Sequence, residues 1–203
     1  MAPVQPVIPV KLLIAALWSA SEVRADDPHS PDPQMPDRQS DCQVDAPPSN
    51  SPLAESLRLA TERWGPIDFQ GPDRLFDSTD YYEPEMGQSL VRRIIAFETL
   101  VPPESLPAAK LFCNELEQFT AAAGRRTVNL DVGYLDHNKI VLASLKYAGQ
   151  KIHLSDGVYA DLIARYEGGS YRPFPWTFPD FKSGRYDEEL RAIRVKYLNQ
   201  LRH

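Results

Sequence analysis

The stretch VKLLIAALWSASEVRADD, residues 10–27, decides how the fold begins. Lys11 precedes a run of seven apolar residues, Leu12 to Trp18, and Val23-Arg24-Ala25 fits the small-residue pattern of a signal-peptidase site. The same run has the length of a buried β-strand. Two structures therefore compete for this stretch: a cleaved secretory signal peptide and the first strand of a sheet.

The composition is typical of a globular protein with one domain. Of the 203 residues, 42% are hydrophobic and 25% are charged, and the formal net charge is −6. An acidic chain lacks the basic surface that neutralises phosphates, so we expect no nucleic-acid partner. The longest apolar run is far shorter than the roughly 20 residues of a bilayer span, so we expect no membrane partner.

Residues 19–51 are rich in proline, aspartate and serine and show no apolar periodicity. Such a segment buries too little apolar surface to offset the entropy of ordering. We therefore expect a disordered insertion between the first strand and the first helix of a single domain, residues 1–203. Cys42 lies in this segment and Cys113 in an expected helix, and both are expected to be free thiols.

The remaining residues alternate between helical and strand patterns. Helical patterns cover residues 51–65, 104–124, 136–149 and 185–203, and strand patterns cover residues 66–69, 89–101, 126–132 and 151–166. Ser51 and Gly65 are suited to begin and end the first helix. The second helix has an apolar stripe of Phe112, Leu116, Phe119 and Ala123. Asp136 is suited to begin the third helix.

The order of these elements predicts the fold class. It is β-α-β-β-α-β followed by a hairpin and a terminal helix, which favours an α+β fold. We expect a mainly antiparallel sheet with helices packed on one face and a ferredoxin-like order at the start. In the hairpin, Asp156-Gly157 suits a type I′ turn. Alternation after the turn directs Val158, Ala160, Leu162 and Ala164 to the core and Tyr159, Asp161 and Arg165 away from it.

The first segment that could carry chemistry is TDYYEPEMG, residues 79–87. Asp80, Glu83 and Glu85 could coordinate Mg²⁺ or Ca²⁺ or share acid–base work, with Tyr81 and Tyr82 between them. The alternative is a solvated acidic turn in which the tyrosines pack. Because the spacing is not that of an EF-hand, the turn is the favoured interpretation.

The second segment is NLDVGY, residues 129–134. Alternation places Asn129 and Asp131 on the sheet face opposite Val128, Leu130 and Val132. If that face is covered, these two side chains are suited to position a ligand; if it is bare, they are the wet side of a sheet. Alternation alone leaves both possibilities open. Tyr134 ends the segment as a further candidate.

The third segment is SDGVYAD, residues 155–161. Turn formation explains Asp156-Gly157, which leaves Tyr159 and Asp161 as candidate ligand-binding residues. Lys139 and Lys146, near the two ends of the expected third helix, could pair with these acids, bind an anionic ligand or simply be solvated. The histidines show no metal-ligand spacing, and the P-loop, dinucleotide-binding and nucleophile-elbow motifs do not occur.

Ten pieces taken in order resemble one family. They are PVKLLIAAL, RWGPIDF, TDYYEPEMG, FETL, KLFCNELE, NLDVGYL, KIVLAS, LSDGVYADL, PWTFPDF and the closing amphipathic helix. This series resembles the bacterial domain-of-unknown-function 4416 family. The resemblance implies a small cytoplasmic bacterial protein and supplies no catalytic residues. Relatives are sometimes labelled GTP-binding, which the lack of a phosphate loop does not support.

The resemblance also decides between the two structures of residues 10–27. The family opens on a strand that corresponds to PVKLLIAAL. Residues before Lys11 include three prolines and no Lys or Arg, unlike the start of a signal peptide. We therefore expect Val10 to Trp18 to be a retained, buried strand and the protein to be cytoplasmic.

The leading functional hypothesis is an α+β protein that binds a small ligand or a partner. The candidate binding residues are Asp80, Tyr81, Tyr82, Glu83, Asn129, Asp131, Tyr134, Lys139, Tyr159 and Asp161. The alternative is a metal-dependent enzyme acting on a phosphorylated or nucleotide-like ligand. In that enzyme Asp80, Glu83, Asp131 and Asp161 would hold Mg²⁺, and Lys139 or Arg92 would meet phosphate. A third possibility is an adaptor whose insertion recruits a partner.

Overall fold

The computed structural model of the protein describes residues 3–20 and 50–202. Within these residues, nine strands form one sheet in which every pairing is antiparallel. The elements are, in chain order, β1 Val10–Ser19, α1 Pro52–Trp64, β2 Ile67–Gln70, β3 Arg74–Leu75, α2 Glu83–Met86, β4 Leu90–Val101, a 3₁₀ turn Pro103–Ser105, α3 Leu106–Phe119, β5 Val128–Leu135, β6 Lys139–Ser144, β7 Ile152–His153, β8 Tyr159–Glu167, β9 Ser170–Pro173, α4 Pro179–Lys182 and α5 Asp187–Gln200.

Strand β1 lies between β4 and β5 near the middle of the sheet, and all ten of its residues are buried. Leu12 and Ile14 point into the core on one face, whereas Leu13 and Ala15 point into the core on the other. A strand covered on both faces reads as a continuous apolar run, which is why these residues resemble a signal peptide. The predicted strand over Val10 to Trp18 is confirmed, with Ser19 added.

The first four long strands have the order β2-β4-β1-β5, which is the ferredoxin-like arrangement expected from the sequence. Helices α1 and α3 pack on the same face of these strands. Helix α1 begins as predicted, because the Ser51 hydroxyl accepts a hydrogen bond from Ala54 N at 3.1 Å. Gly65, with φ of 87°, ends it. The α+β class and the mainly antiparallel sheet are thus confirmed.

The opposite face of the sheet is covered as well. Leu190, Ile193 and Tyr197 of α5 pack in one cluster with Leu13 and Ala15 of β1. The expectation of helices on one face therefore holds for α1 and α3, and α5 adds a second layer. Alternation left open whether the face that carries Asn129 and Asp131 is covered or bare. The second layer shows that this face is covered.

The predicted third helix is wrong: its residues form β6 and the loop after it. The Asp136 carboxylate accepts hydrogen bonds from Asn138 N at 2.7 Å and from Lys139 N at 2.8 Å, and so closes a turn between two strands. The same acceptor chemistry begins helices, so Asp136 alone could not distinguish the two. Lys139 consequently begins a strand, and Lys146 lies in the loop that follows it.

Two predicted side-chain orientations are also wrong. Phe119 of α3 is 69% exposed, and the buried face of that helix carries Leu106, Ala109, Cys113 and Leu116. Asp161 is buried, because the face toward which it points is covered by other elements. The turn itself is confirmed: Asp156 and Gly157 both have positive φ, and Val158 N donates to Ser155 O at 2.8 Å.

Most of the predicted insertion, residues 21–49, lies outside the described residues, and so does Cys42. Cys113 is a buried free thiol, and burial raises its pKa. Across residues 3–20 and 50–202, the helices are too short or too polar to cross a bilayer.

Candidate functional site

The candidate site lies where strands β5 and β6 separate. They pair only through Gly133–Leu135 and Ile140–Leu142, although both strands extend further. Gly133 is the paired residue of β5 that lies nearest to the separation. A Cβ at this glycine would lie 2.2 Å from the main-chain oxygen of Val141, so the two backbones approach closely only because no side chain is present.

Helix α3 supplies the hydrogen bonds that β6 does not make at the separation. Glu117 Oε1 accepts from Leu130 N at 2.7 Å, and Lys110 Nζ donates to Leu130 O at 3.3 Å. Buried main-chain groups need such partners. The main-chain groups of Leu130 therefore keep hydrogen-bond partners although β6 lies apart from this half of β5.

A cavity of about 270 Å³ occupies this separation. Four basic and three acidic side chains line it: Lys110, Arg126, Lys146, Lys151 and Glu117, Asp131, Asp161. The remaining lining residues are Tyr81, Tyr82 and Phe178, then Asn114, Asn129 and Ser144, and finally Leu142, Ala143 and Leu145. The cavity is thus suited to a small polar molecule rather than to an apolar one.

Two buried polar atoms of the cavity wall lack a hydrogen-bond partner among the described residues. They are the donor Nδ2 of Asn129 on β5 and the acceptor Oδ1 of Asp161 on β8. The two residues are only 5% and 4% exposed. Because buried polar atoms are nearly always paired in folded proteins, these two atoms mark positions where a bound molecule would be stabilised.

Arg126 connects the cavity wall to the segment 79–87. Its guanidinium donates to both carboxylate oxygens of Glu85, at 2.8 and 2.6 Å, and to Asn129 Oδ1 at 3.0 Å. The hydrogen bond from Arg126 lowers the pKa of Glu85, whereas burial raises the pKa of Glu117. This geometry also explains why Asn129 Nδ2 is the unpaired end of its amide.

The same segment places two tyrosines on the cavity. Lys146 Nζ donates to the hydroxyl of Tyr81 at 2.8 Å, and this hydrogen bond lowers the pKa of Tyr81. Burial raises the pKa of Tyr82 to about 12. Segment 79–87 is therefore attached to the cavity wall at two points, through Glu85 and through Tyr81.

Asp161 and Asp131 are each held by a cation. Lys151 Nζ lies 3.3 Å from Asp161 Oδ2 and donates to Ser144 Oγ at 2.8 Å. Burial nevertheless raises the pKa of Asp161. Asp131 accepts from Arg92 at 3.1 Å, and Arg92 also donates to Asp180 at 2.5 Å. Arg92 is thus engaged in buried ion pairs and does not line the cavity.

The structure brings half of the sequence-predicted candidates together. Tyr81, Tyr82, Asn129, Asp131 and Asp161 line the cavity. The other five candidates lie elsewhere: Asp80 and Glu83 are exposed, Tyr134 lies below α3, Lys139 pairs with Asp136, and Tyr159 contacts the rings of Tyr147 and His153.

The four proposed magnesium ligands are therefore divided, with two on the cavity and two on the surface. In the part of the chain that the structure describes, no group of three or more His, Cys, Asp or Glu side chains is placed to hold a metal ion.

Sequence reasoning missed the contribution of α3. Lys110 and Glu117 are seven positions apart, which places them on one face of a helix. Both lie on the buried face, beside Ala109, Cys113 and Leu116. Two charged residues on the apolar face of a helix were the available signal, and the misassigned stripe concealed it.

A family model described as "Domain of unknown function (DUF4416)" matches residues 47–197 of the chain. The chain belongs to this family. No curated protein and no solved structure matches the chain. All residues that line the cavity fall within the matched DUF4416 segment, whereas β1 precedes it.

Proposed function

We propose that this DUF4416 protein binds a small polar ligand in the cavity between β5 and β6. The observation that carries the proposal is the pair of unpartnered, almost fully buried atoms, Asn129 Nδ2 and Asp161 Oδ1. They come from different strands and serve the same cavity. A ligand that accepts from one and donates to the other would remove two desolvation penalties.

The cavity also has the features of a preformed site. Its charged side chains are held in place by ion pairs, such as Lys151 with Asp161 and Arg126 with Glu85. Its floor is a sheet packed on both faces, so ligand binding would not require the core to rearrange. Segment 79–87 covers one side and contributes the aromatic rings of Tyr81 and Tyr82.

The proposal is tested by ligand-observed NMR with a mixed panel of amino acids, hydroxy acids, sugars, nucleosides and phosphate. A cavity-filling variant, Asn114→Trp, identifies where binding occurs, because Asn114 lies on α3 at the cavity wall and is only partly buried. The matched control is Glu115→Trp, which adds the same side chain at the next, exposed position of α3.

We expect at least one class of compound to bind the wild-type protein and the control, and to lose binding in Asn114→Trp. Circular dichroism of both variants verifies that they are folded. Binding that is equal in the two variants, or no binding by any compound, would contradict the proposal.

We also propose that the protein is cytoplasmic and bacterial, as the resemblance of the sequence implies. Support comes from β1, which pairs with both β4 and β5, so cleavage after Ala25 would remove a central strand. N-terminal sequencing of the protein purified from its native cells tests this. A chain that begins at Asp26 would contradict it.

A further inference from the structure

Lys110 is a buried cation that makes no salt bridge among the described residues, although its charge opposes the rise in the pKa of the nearby Glu117 carboxyl. It is 8% exposed and lies on the cavity wall. Its ammonium group makes one hydrogen bond, of 3.3 Å, to the uncharged Leu130 carbonyl. Among the described residues, no carboxylate oxygen lies within 4.0 Å of Lys110 Nζ. An ammonium group has three donors, so two of them remain for another molecule.

The other three basic residues of the cavity differ from Lys110, because two are paired with carboxylates and the third, Lys146, is exposed to solvent. Arg126 is paired with Glu85, Lys151 is paired with Asp161, and Lys146 donates to the Tyr81 hydroxyl. An anionic group that entered the cavity would therefore meet a buried ammonium group without a salt bridge at Lys110. Asn129, which precedes Leu130 on β5, adds the unpartnered donor Nδ2.

Asp161 imposes the opposite requirement. Its Oδ1 is an unpartnered acceptor, and Lys151 engages only the other oxygen. A ligand must therefore present a donor to Asp161 and an acceptor to Lys110 and Asn129. A wholly anionic ligand satisfies only one of these two conditions.

We propose that the ligand is a small carboxylate that carries an amino or hydroxyl group. This inference rests on the proposed function of the cavity. The carboxylate would accept from Lys110 Nζ and Asn129 Nδ2, and the amino or hydroxyl group would donate to Asp161 Oδ1. The volume of about 270 Å³ is sufficient for a molecule of the size of an amino acid or a short hydroxy acid.

A phosphate group fits the cavity less well than a carboxylate does. Three acidic side chains, Glu117, Asp131 and Asp161, line the same cavity, and their negative charges oppose a dianion more strongly than a singly charged carboxylate. A carboxylate carries one charge, which Lys110 alone can compensate. The paired charges of the wall thus favour a ligand with one negative group and a separate donor.

The test is a titration by isothermal calorimetry with glycine, L-serine, L-glutamate and lactate. Propionate lacks the donor, ethanolamine lacks the carboxylate, and inorganic phosphate represents the dianion. We expect at least one amino or hydroxy carboxylate to bind, and all three comparison compounds to bind about ten-fold more weakly or not at all.

Two variants assign the two ends of the ligand. Lys110→Met should weaken binding of the carboxylate about ten-fold. Asp161→Asn should remove most of the preference for a donor-bearing carboxylate over propionate. Arg191→Met, an exposed position on α5 outside the cavity, should bind as the wild-type protein does. If Lys110→Met does not fold, Lys110→Gln replaces it.

The outcomes separate this inference from the proposed function. If phosphate or a nucleoside binds with sensitivity to Asn114→Trp and no carboxylate does, the carboxylate inference is overturned and the cavity remains a binding site. If a carboxylate binds but Lys110→Met and Asp161→Asn leave its affinity unchanged, the inference is also overturned. If no compound of either panel binds, both proposals are overturned.

Discussion

The carboxylate of Glu117 accepts a hydrogen bond from the main-chain N–H of Leu130 at 2.7 Å, where a neighbouring strand would ordinarily provide the acceptor. A helix side chain thus does what a strand does elsewhere in the sheet. Strand β6 need not approach this half of β5, and the space between them becomes the cavity. The site therefore depends on α3 as much as on the sheet.

We expect Glu117→Leu to lower the free energy of unfolding by about 2 kcal/mol, because it leaves Leu130 N–H buried without an acceptor. Glu117→Gln keeps an oxygen at that position and should cost clearly less. Urea denaturation followed by circular dichroism measures both. Equal losses of stability in the two variants would show that the hydrogen bond to Leu130 does not stabilise the fold.

We expect Gly133→Ala to lower the free energy of unfolding by about 3 kcal/mol or to prevent folding. The added Cβ would lie 2.2 Å from Val141 O and 3.0 Å from Leu142 Cα, which are main-chain atoms of the paired strand and cannot move aside. The control is Gly149→Ala, whose Cβ would meet no heavy atom within 4 Å. If thermal unfolding shows the same change for both glycines, the close approach of β5 and β6 is refuted.

The buried carboxyl of Asp161 should make the stability depend on pH. Burial raises its pKa above the ordinary 3.8, so over the interval between the two values the folded chain holds a proton that the unfolded chain releases. The free energy of unfolding therefore falls as pH rises through this interval. Asp161→Asn removes the effect and should gain stability relative to the wild type as pH rises above the ordinary pKa of 3.8.

Urea denaturation of wild type and Asp161→Asn across that pH range measures the difference. Glu117 also has a pKa raised by burial, but it is present in both proteins, so its contribution cancels. A stability difference that is constant with pH, or that moves toward the wild type as pH rises, would contradict the expectation.

Lys11, in the central strand, should be required for stability. Its fully buried ammonium donates to Asp68 Oδ2 at 2.8 Å, to Phe97 O at 2.8 Å and to Gln200 Oε1 at 2.9 Å. Lys11→Met should lower the free energy of unfolding by about 3 kcal/mol, because it leaves the Asp68 charge without its partner.

The double variant Lys11→Met with Asp68→Asn should lose less stability than Lys11→Met alone, since no unpaired charge remains. The exposed pair of Arg58 and Glu55 on α1 serves as the control, and Arg58→Met should have a far smaller effect. Chemical denaturation compares the four proteins. A double variant that is less stable than Lys11→Met would contradict the role assigned to the ion pair.

The elements with strong local signals could be predicted from the sequence. Helix α1 has a capping serine at its start and a glycine at its end, and the structure has both as predicted. The Asp156-Gly157 turn was equally recognisable, since few other dipeptides adopt positive φ at both positions. These features are decided by residues within a few positions of one another.

The third helix could not be distinguished from a strand in this way. Asp136 can begin either a helix or a tight turn, and the choice depends on whether Lys139–Ser144 finds a strand to pair with. It pairs with β5 on one side and β8 on the other, which are contacts between distant parts of the chain. Tertiary pairing therefore decided what local pattern left open.

The site could be predicted only in part, because local pattern identifies residues of one strand but not their neighbours from other elements. Asn129 and Asp131 share a face by simple alternation, so they could be named from the sequence. Their neighbours Lys110 and Lys151 could not, because they reach the cavity from α3 and from the loop before β7. Assembling the cavity requires knowing that β5 and β6 separate, and no residue pattern within either strand indicates it.

The most direct measurement is the NMR signal of the Asn129 side-chain amide during titration with glycine, L-serine, L-glutamate and lactate. The signal is assigned by its loss in Asn129→Asp, and the amide of Asn199, exposed on α5, is the internal reference. We expect at least one of these compounds to shift the Asn129 signal in a saturable manner while the Asn199 signal stays in place. Saturable binding that leaves the Asn129 signal unchanged, or no saturable shift with any of the four, would contradict a ligand site between β5 and β6.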